Sequence, residues 1–365
     1  MAISPPRAWA EIDLDALRHN FRFAQAQSGG QEVMAVVKAN AYGHGVREVI
    51  KALEPLQPSF YGVANVFEAR EVRALLPEAR IYLLGVANPS EYEELVAHDY
   101  TPCASSMAEL HTFGELAARY QKTLRIHLAI DTGMGRGGFL PDTAELEEAL
   151  AYQHSHLEIE GIGSHLPVAD EDPTFTEQQF QRFASISKPD LRYRHLANSA
   201  GLLHYADYGL NLVRPGLMLY GVSPLPEYQA QLKPVMRLCS RISLIRDIPA
   251  GHGISYGRTF ITQRDSRIAT IGIGYADGYH RSLSGRGAQV SLRGVTAPVI
   301  GRVTMDQIMV DVTDVPECYA GDIVELFGTE ISVSTLAQQA GTIPWELFTG
   351  IAPRVQRIVQ TTDRA

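Results

Sequence analysis

The stretch that decides the fold is Val33-Met34-Ala35-Val36-Val37-Lys38-Ala39-Asn40-Ala41-Tyr42-Gly43-His44-Gly45. Its first five residues are apolar and three of them are β-branched, which predicts a short buried strand. Lys38 follows at once, then a loop with two glycines, and then an amphipathic helix over 46–53. A strand followed by a loop and a helix is the unit from which parallel α/β folds are built.

Lys38 stands where this buried strand ends. In a partly dry crevice the charged form is disfavoured, so the pKa of the lysine falls and the neutral amine becomes available as a nucleophile or a base. The alternative is a lysine whose charged end merely extends back into water. Tyr42 and the two glycines lie directly before a helix start, where backbone groups can approach an anion, and this favours the first interpretation.

Length and composition are those of a globular protein with two domains. The 365 residues are too many for one ordinary core and fit a barrel with an appendage. The hydrophobic content of 45% and the charged content of 20% are typical of globular chains. The net charge of -9 includes no block of like charges, which argues against nucleic acid or an anionic membrane as a partner.

The three cysteines, Cys103, Cys239 and Cys318, lie far apart and show no metal-ligand spacing. That pattern suits a reducing compartment. The first residues lack a basic segment followed by an apolar one, and no apolar run approaches the length needed to span a membrane. We therefore expect a cytoplasmic enzyme whose partner is neither nucleic acid nor a membrane.

Apolar strand candidates alternate with helical patterns over the first part of the chain. The candidates lie at 33–37, 60–64, 81–86, 100–103, 124–130, 157–163, 193–197 and 211–213. Helical patterns such as 107–120 and 144–152 separate most of them, and Asp13 can cap a first helix that carries Leu17 and Phe21. Eight such units predict a closed (β/α)8 TIM barrel.

Beyond about residue 230 the pattern changes to short β-like runs separated by Gly, Pro and Asp. They lie at 240–248, 267–272, 288–293, 299–303, 307–312 and 322–326, and a helix is predicted near 333–339. This predicts an all-β domain in the form of a small barrel. The fold class is therefore α/β plus all-β: a TIM barrel over 1–235, then a C-terminal β-strand domain over 236–365, with residues 1–12 left open to pack with the second domain.

Several predicted barrel strands end in polar residues, at the face where barrel active sites form. These residues are Lys38, Asp131-Thr132-Gly133 with Arg136, His165, Asn198 with Ser199, and Arg214 with Gly216 and Leu217. Each has an ordinary explanation by itself, as a core histidine, a buried ion pair, a turn or a helix cap. Convergence from different strands favours a functional site, in which Ser199, Gly216 and Leu217 offer donors to a phosphate.

These motifs resemble those of alanine racemases, enzymes that depend on pyridoxal 5'-phosphate (PLP). Residues 36–45 resemble the family's cofactor-lysine segment, and the strand ends follow in the family's order. Residues 253–257, 273–279 and 301–307 resemble motifs of the racemase β domain. The resemblance spans nearly the whole chain. It implies a fold-type-III PLP enzyme that works as a head-to-tail homodimer, in which the β domain of one subunit completes the partner's site.

The resemblance also implies roles for individual residues. Lys38 corresponds to the lysine that binds the cofactor covalently. The remaining cofactor ligands are Tyr42, Ser199, Gly216 and Leu217 at the phosphate, with Asn198 beside them, Arg136 at the phenolic oxygen, His165 at the ring and Arg214 at the pyridine nitrogen. Tyr256 of the partner subunit is the second catalytic residue. Arg136, together with Met305 of the partner subunit and Asp306 of the partner subunit, approaches the substrate.

The chemistry accounts for these residue types. Racemisation removes the α-proton on one face of a planar carbon and returns a proton on the other, so it needs two proton-transfer groups, Lys38 and Tyr256 of the partner subunit. PLP supplies the electron sink, and Arg214 leaves the pyridine nitrogen unprotonated because a guanidinium does not give up its proton. We expect interconversion of L-alanine and D-alanine, which supplies D-alanine for peptidoglycan.

Two positions depart from the family pattern and leave alternatives open. Ala129 stands where many members carry a modified lysine that orients the arginine, so another group or a bound anion must hold Arg136. Pro353 stands where some members carry a tyrosine at the substrate entrance, so serine or a broader set of amino acids is an alternative. A fold-type-III PLP decarboxylase needs an acidic partner for the pyridine nitrogen, against which Arg214 argues. A PLP-carrying regulatory protein with the same barrel would lack the β domain.

Overall fold

The structure is a computed structural model that describes residues 6–186, 191–205 and 210–360. The chain divides into two compact units. The larger comprises Leu17–Ala41 and Val46–Lys233, and the smaller comprises Met1–Ala16, Tyr42–Gly45 and Pro234–Ala365. Within the described ranges, every helix is too short or too polar to cross a lipid bilayer.

The larger unit is built on short parallel strands. They are Glu32–Val36, Phe60–Val63, Ile81–Leu83, Cys103–Ala104, Leu124–Ala129, Leu157–Gly163, Tyr193–His195 and Leu212–Val213. Two four-stranded parallel sheets contain them. The sheets join where the Leu83 N–H donates to Thr101 O over 2.9 Å and the Asn211 N–H donates to Arg194 O over 3.2 Å. The strands thus follow one another around a closed ring, which confirms the predicted (β/α)8 barrel.

Helices alternate with these strands along the chain. They are Leu14–Gln27, Val46–Leu53, Val66–Leu75, Tyr92–Ala97, Met107–Arg119, Ala144–Ala151, Pro173–Ala184 and Ser199–His204. The first begins at the predicted cap, because Asp13 Oδ1 accepts from the Asp15 and Ala16 N–H groups over 2.9 and 2.8 Å. Its Leu17 and Phe21 are fully buried, as the spacing predicts.

The strand predicted over 100–103 is displaced in the structure. The strand is Cys103–Ala104, while Thr101 forms only an isolated bridge with Tyr82. Pro102 has no N–H to donate to a sheet, so it contributes only its carbonyl, which accepts from the His127 N–H over 3.0 Å. A neighbouring prediction is too long, because the strand predicted over 81–86 ends at Leu83.

The smaller unit is built mainly on antiparallel strands, as the β-like runs predict, although Gln356–Gln360 runs parallel to Ala8–Asp13. They are Ala8–Asp13, Met236–Ile248, Ser266–Ile271, Gln289–Leu292, Val295–Ile300, Ile308–Asp311, Ile323–Phe327 and Gln356–Gln360, with a separate hairpin of Gly253–Ile254 and Phe260–Ile261. The long strand Met236–Ile248 pairs with Ile323–Phe327 and with Ser266–Ile271, which closes a ring of strands. Its outer edge pairs with Ala8–Asp13, which in turn pairs with Gln356–Gln360.

Several elements of this unit differ from the sequence pattern, and the strand Gln356–Gln360 was not predicted. The strand predicted over 299–303 is Val295–Ile300, because Gly301 adopts a φ of 67° and ends it. A side chain at Gly301 would meet Ser255 Cβ at 2.8 Å, so glycine is also required here for steric reasons. After the predicted helix, observed at Val333–Ala340, a second helix follows at Pro344–Thr349, which the sequence analysis missed.

Candidate active site

Lys38 follows the end of the strand Glu32–Val36, at the carboxyl end of the barrel. The sequence predicts a loop after it, whereas the structure has a left-handed helical turn. Ala39, Asn40, Ala41 and Tyr42 all have φ between 52° and 54°. Residues other than glycine adopt this conformation at a cost of about 1–2 kcal/mol each, and such strain is concentrated at functional sites.

Side-chain oxygens hold this left-handed turn. Glu68 Oε1 accepts from the Ala39 N–H over 2.7 Å, and its Oε2 accepts from the Ala64 N–H over 2.8 Å. Asn40 Oδ1 accepts from the Val46 N–H over 2.8 Å at the start of the next helix. The bond from the Ala39 N–H satisfies a backbone donor of the turn itself, and the other two bonds tie the turn to Ala64 and Val46.

The following segment, Tyr42–Gly45, belongs to the smaller unit. Gly43 has a φ of 79°, and a side chain there would lie 2.1 Å from Phe348 O, so only glycine fits. Its carbonyl accepts from Arg357 Nε over 3.0 Å. Tyr42 is buried, and burial raises the pKa of its phenol above the ordinary range, so its hydroxyl remains a hydrogen-bond donor.

Positive charge gathers around Lys38. Burial lowers the pKa of the lysine below its ordinary 10.5, and the charges of Arg136 and Arg214 lower it further. The Glu68 carboxylate acts in the opposite direction. The outcome is an amine that loses its proton more readily than an ordinary lysine does, at a place that favours an anionic ligand.

Arg214 follows the strand Leu212–Val213 and is only 6% exposed. Its Nη2 donates to Ser164 O over 2.6 Å and its Nη1 donates to His195 Nδ1. Burial lowers the pKa of the guanidinium to about 10, which leaves it charged at neutral pH. Among the described residues no carboxylate lies within ion-pair distance of it, although buried cations are ordinarily paired.

His165 lies beside this guanidinium, with Nδ1 3.5 Å from Arg214 Nη2. Burial, and then the charges of Arg214, Arg136 and Lys38, lower the pKa of His165 to about 3. The imidazole is therefore neutral at physiological pH. The structure thus brings Lys38, Arg136, His165 and Arg214 together from four strand ends.

The segments after the last two strands meet at Ser199. Its Oγ accepts from the Gly216 N–H over 3.1 Å and from the Met218 N–H over 3.4 Å. Leu217 begins a 3-10 turn, Leu217–Tyr220, and Gly216 before it has no side chain that could cap the turn. Asn198 caps the helix Ser199–His204, with Oδ1 accepting from the Gly201 N–H, and its Nδ2 donates to Leu166 O. The Asn198 side chain therefore holds this corner of the barrel.

The loop that carries Arg136 is organised by Asp131. Its carboxylate accepts from the N–H groups of Gly133, Met134 and Gly135 over 2.8–3.0 Å. The side chain of Arg136 is exposed, and within the described ranges no residue accepts a hydrogen bond from it. Ala129 supplies no functional group that could hold the arginine.

The predicted residues of the smaller unit lie on adjoining loops. Ser255 Oγ donates to Arg302 O over 2.7 Å, which joins the Tyr256 segment to residues 301–307. The Ala276 N–H donates to Met305 O over 3.0 Å, which joins that segment to residues 273–279. Tyr256 is 71% exposed and Met305 is 53% exposed. The three motifs therefore form one surface of this unit.

Asp306, on the same surface, is held by arginines. Arg354 Nη2 donates to Asp306 Oδ1 over 2.7 Å, and the Nε of the same arginine donates to Asp277 Oδ1 over 2.7 Å. Arg7 Nη2 approaches both carboxylates. The hydrogen bond from Arg354 lowers the pKa of Asp306, so its carboxylate stays ionised. Pro353 precedes this arginine and is exposed.

Three residues that shape the surroundings of Lys38 and Arg214 were not predicted from the sequence: Glu68, His195 and Tyr220. Tyr220 Oη donates to Val36 O over 2.9 Å and so fixes the strand end before Lys38. Glu68 stands three residues after Asn65, which is the spacing of a helix cap. The sequence therefore indicates a helix start at this place and gives no sign of the hydrogen bond to Ala39. His195 lies inside a predicted strand, where a histidine is easily taken as core.

Two known protein families match nearly the whole chain. The alanine racemase N-terminal domain family matches residues 12–224, and the alanine racemase C-terminal domain family matches residues 235–359. An alanine racemase of Halothermothrix orenii is 40% identical over 363 residues and covers 96% of each chain.

Solved structures give the same result. The alanine racemase of the D-cycloserine producer Streptomyces lavendulae superposes with a TM-score of 0.91 at 37% identity, covering 98% of both chains. An alanine racemase of Bartonella henselae with covalently bound pyridoxal phosphate has a TM-score of 0.90 at 32% identity, covering 98% of this chain and 100% of that one. The resemblance, the fold class and the enzyme class predicted from the motifs are thereby confirmed. The chain belongs to the alanine racemase family, whose members are isomerases.

Proposed function

We propose that this protein interconverts L-alanine and D-alanine with PLP, by two bases contributed by two copies of the chain. Lys38 Nζ exchanges the α-proton on one face, and Tyr256 Oη of the partner subunit exchanges it on the other. PLP, when bound, delocalises the electrons of the deprotonated α-carbon. The D-alanine produced serves peptidoglycan synthesis, and the enzyme works in the cytoplasm.

The observation that carries the proposal is the buried, unpaired charge of Arg214. A guanidinium with no carboxylate partner among the described residues calls for a ligand that accepts a hydrogen bond or carries negative charge. PLP offers both, a pyridine nitrogen and a phosphate. Together with the amine of Lys38, whose pKa is lowered, the donor set therefore fits this cofactor.

The remaining residues bind and orient. Tyr42, Ser199, Gly216 and Leu217 hold the phosphate through hydroxyl and backbone N–H groups, and Asn198 fixes the corner that carries Ser199. The lowered pKa keeps His165 neutral, so its imidazole would lie against the PLP ring without adding a positive charge there. Because Arg214 does not give up its proton, the pyridine nitrogen it faces stays unprotonated. Arg136, Met305 of the partner subunit and Asp306 of the partner subunit approach the substrate.

Alanine is the proposed substrate, and serine or a broader set is the second candidate. The exposed Pro353 favours a broader range, because proline offers neither a hydroxyl nor a large ring at the entrance. The discriminating experiment is chiral product analysis with purified protein and PLP across Ala, Ser, Lys, Arg and Glu. We expect racemic alanine fastest; no racemisation of any of the five would refute the proposal.

Lys38→Ala tests the proposed cofactor site. This variant should lose both the visible absorbance of bound PLP and the racemase activity, whereas Lys51→Ala, at an exposed position, should keep both. If Lys38→Ala retained absorbance and activity, the proposed cofactor site would be wrong.

A further inference from the structure

A buried chain of polar contacts runs from Arg214 into the barrel. Arg214 Nη1 contacts His195 Nδ1, and His195 Nε2 lies 2.7 Å from His127 Nδ1. His127 Nε2 in turn lies 3.4 Å from Glu160 Oε1. His127, His195 and Glu160 are all at most 3% exposed. The side chains therefore connect the candidate cofactor site to a buried carboxylate.

The proton positions in this chain follow from chemistry. Arginine only donates, so His195 Nδ1 must be without a proton, and a neutral His195 carries its proton on Nε2. That proton points at His127 Nδ1, which must then accept, so the proton of a neutral His127 is on Nε2, the ring nitrogen that lies 3.4 Å from Glu160 Oε1. A second proton on either imidazole would set two donors against each other. Burial also lowers the pKa of both histidines, which agrees with neutral rings.

The far end of the chain is anchored at the opposite face of the barrel. Glu160 accepts from Arg80 Nη2, and Arg80 Nη1 donates to Tyr193 Oη over 2.8 Å. Arg80 directly precedes the strand Ile81–Leu83, at its amino end, and its guanidinium stacks 4.1 Å from the centre of the Phe60 ring. The carboxylate is thus fixed and kept ionised, so its end of the chain always accepts.

We propose that Glu160 is a positioning residue for the cofactor site, which acts through His127 and His195 to fix Arg214 in one orientation. The ionised carboxylate orients both imidazoles, and only this orientation leaves His195 Nδ1 free to accept from Arg214. The proposal rests on the proposed function in that Arg214 faces the pyridine nitrogen of PLP. Glu160, His127 and His195 lie in the barrel core, away from the proposed substrate.

The first test reads the proton positions directly. Nitrogen-15 NMR of the full chain, labelled at histidine and studied with and without PLP, distinguishes protonated from unprotonated ring nitrogens. We expect His127 and His195 to show a bare Nδ1 and a protonated Nε2, unchanged between about pH 5 and pH 8. A titration of either ring in that range, or a protonated Nδ1, would overturn the proposal. The measurement without PLP does not depend on the cofactor. It therefore tests the proton positions even if the proposed function is wrong.

The second test compares Glu160→Gln with Glu158→Gln, a change at an exposed position of the same strand. An amide supplies N–H groups where the carboxylate only accepts, so in Glu160→Gln the His127 signal should gain a protonated Nδ1. We expect kcat for alanine to fall about tenfold with KM within about threefold, an effect of the size seen when outer partners of metal-bound histidines are removed. The spectrum of bound PLP should also shift.

Glu158→Gln should match the wild type in every readout, and Glu160→Asp should recover part of kcat. Equal kcat, equal spectra and equal imidazole signals in Glu160→Gln and Glu158→Gln would contradict the proposal. If Glu160→Gln fails to fold, the proton positions of the wild-type histidines still decide it.

Discussion

The Glu68 carboxylate accepts from the backbone N–H of Ala39 over 2.7 Å, immediately after the lysine proposed to carry the cofactor. Its second oxygen accepts from the Ala64 N–H, so one side chain joins the turn after the first barrel strand to the end of the second. The same carboxylate is a negative charge close enough to Lys38 to raise its pKa, against the larger effects of burial and of Arg136. It therefore tunes the lysine as well as holding its turn.

Glu68→Gln should lower the pKa of Lys38 further, because it removes the charge that opposes burial. In the cofactor-free protein, acylation of Lys38 followed by peptide mass spectrometry should show its inflection at a lower pH than in the wild type. The amide must also place an N–H against one backbone donor, so the free energy of unfolding should fall by about 1 kcal/mol. Glu71→Gln, at an exposed position of the same helix, is the control. An unchanged or raised inflection would show that Glu68 does not act on Lys38.

His165 makes stability depend on pH in a definite direction. Its pKa is about 3 in the folded protein and 6.5 ordinarily, so between these values the unfolded chain binds more protons. Stability therefore falls as the pH falls from 6.5 towards 3, by about 1.4 kcal/mol per pH unit from this group.

The test is urea unfolding of the wild type, His165→Asn and the exposed control His98→Asn at about pH 7.5 and about pH 5. The wild type and His98→Asn should lose more stability between the two pH values than His165→Asn does. Equal losses in all three proteins would mean that His165 is not held neutral by the fold.

Arg354 neutralises Asp306, which is proposed to lie beside the substrate carboxylate in the partner's site. Arg354→Gln should raise KM for alanine by about five- to tenfold with a smaller change in kcat, because an uncompensated carboxylate repels the substrate. Asp306→Asn combined with Arg354→Gln should recover much of this loss, since no charge is then left uncompensated. Arg281→Gln, an exposed change in the same unit, should leave KM unchanged. A double variant as weak as Arg354→Gln alone would rule out the charge argument.

Tyr256→Phe tests the second base. Loss of the phenolic oxygen should leave the absorbance of bound PLP intact and reduce alanine racemisation by at least about a hundredfold, the range of a general acid–base contribution. Deuterium from heavy water should then enter one alanine enantiomer far faster than it enters the other. Wild-type incorporation into both enantiomers would remove Tyr256 from the mechanism.

The barrel could be predicted because its strands are apolar runs of regular spacing. The strand predicted over 157–163 has the same bounds in the structure. The prediction fails where local chemistry interrupts the pattern. Pro102 displaces one strand and Gly301 ends another, because the first lacks a donor and the second adopts a left-handed conformation.

Less of the candidate site could be predicted. Polar residues at strand ends were expected to meet, and Lys38, His165 and Arg214 lie close enough to shift one another's pKa values. The left-handed turn at Ala39–Tyr42 was not foreseeable, because its residues do not favour that conformation and its hydrogen bonds reach Glu68, 29 residues beyond Ala39. The chain from Arg214 to Glu160 likewise joins residues that only the closed barrel brings together.

The central claim, a site shared by two copies of the chain, is tested most directly by mixing two inactive variants. Lys38→Ala and Tyr256→Phe chains are unfolded together, refolded with PLP and assayed for alanine racemisation. If each site takes Lys38 from one copy and Tyr256 from the other, half of the sites in a mixed dimer are intact. The mixture should then recover about a quarter of the wild-type rate, while each variant refolded alone stays inactive. A mixture no more active than the separate variants, although mixed dimers form, would contradict the account.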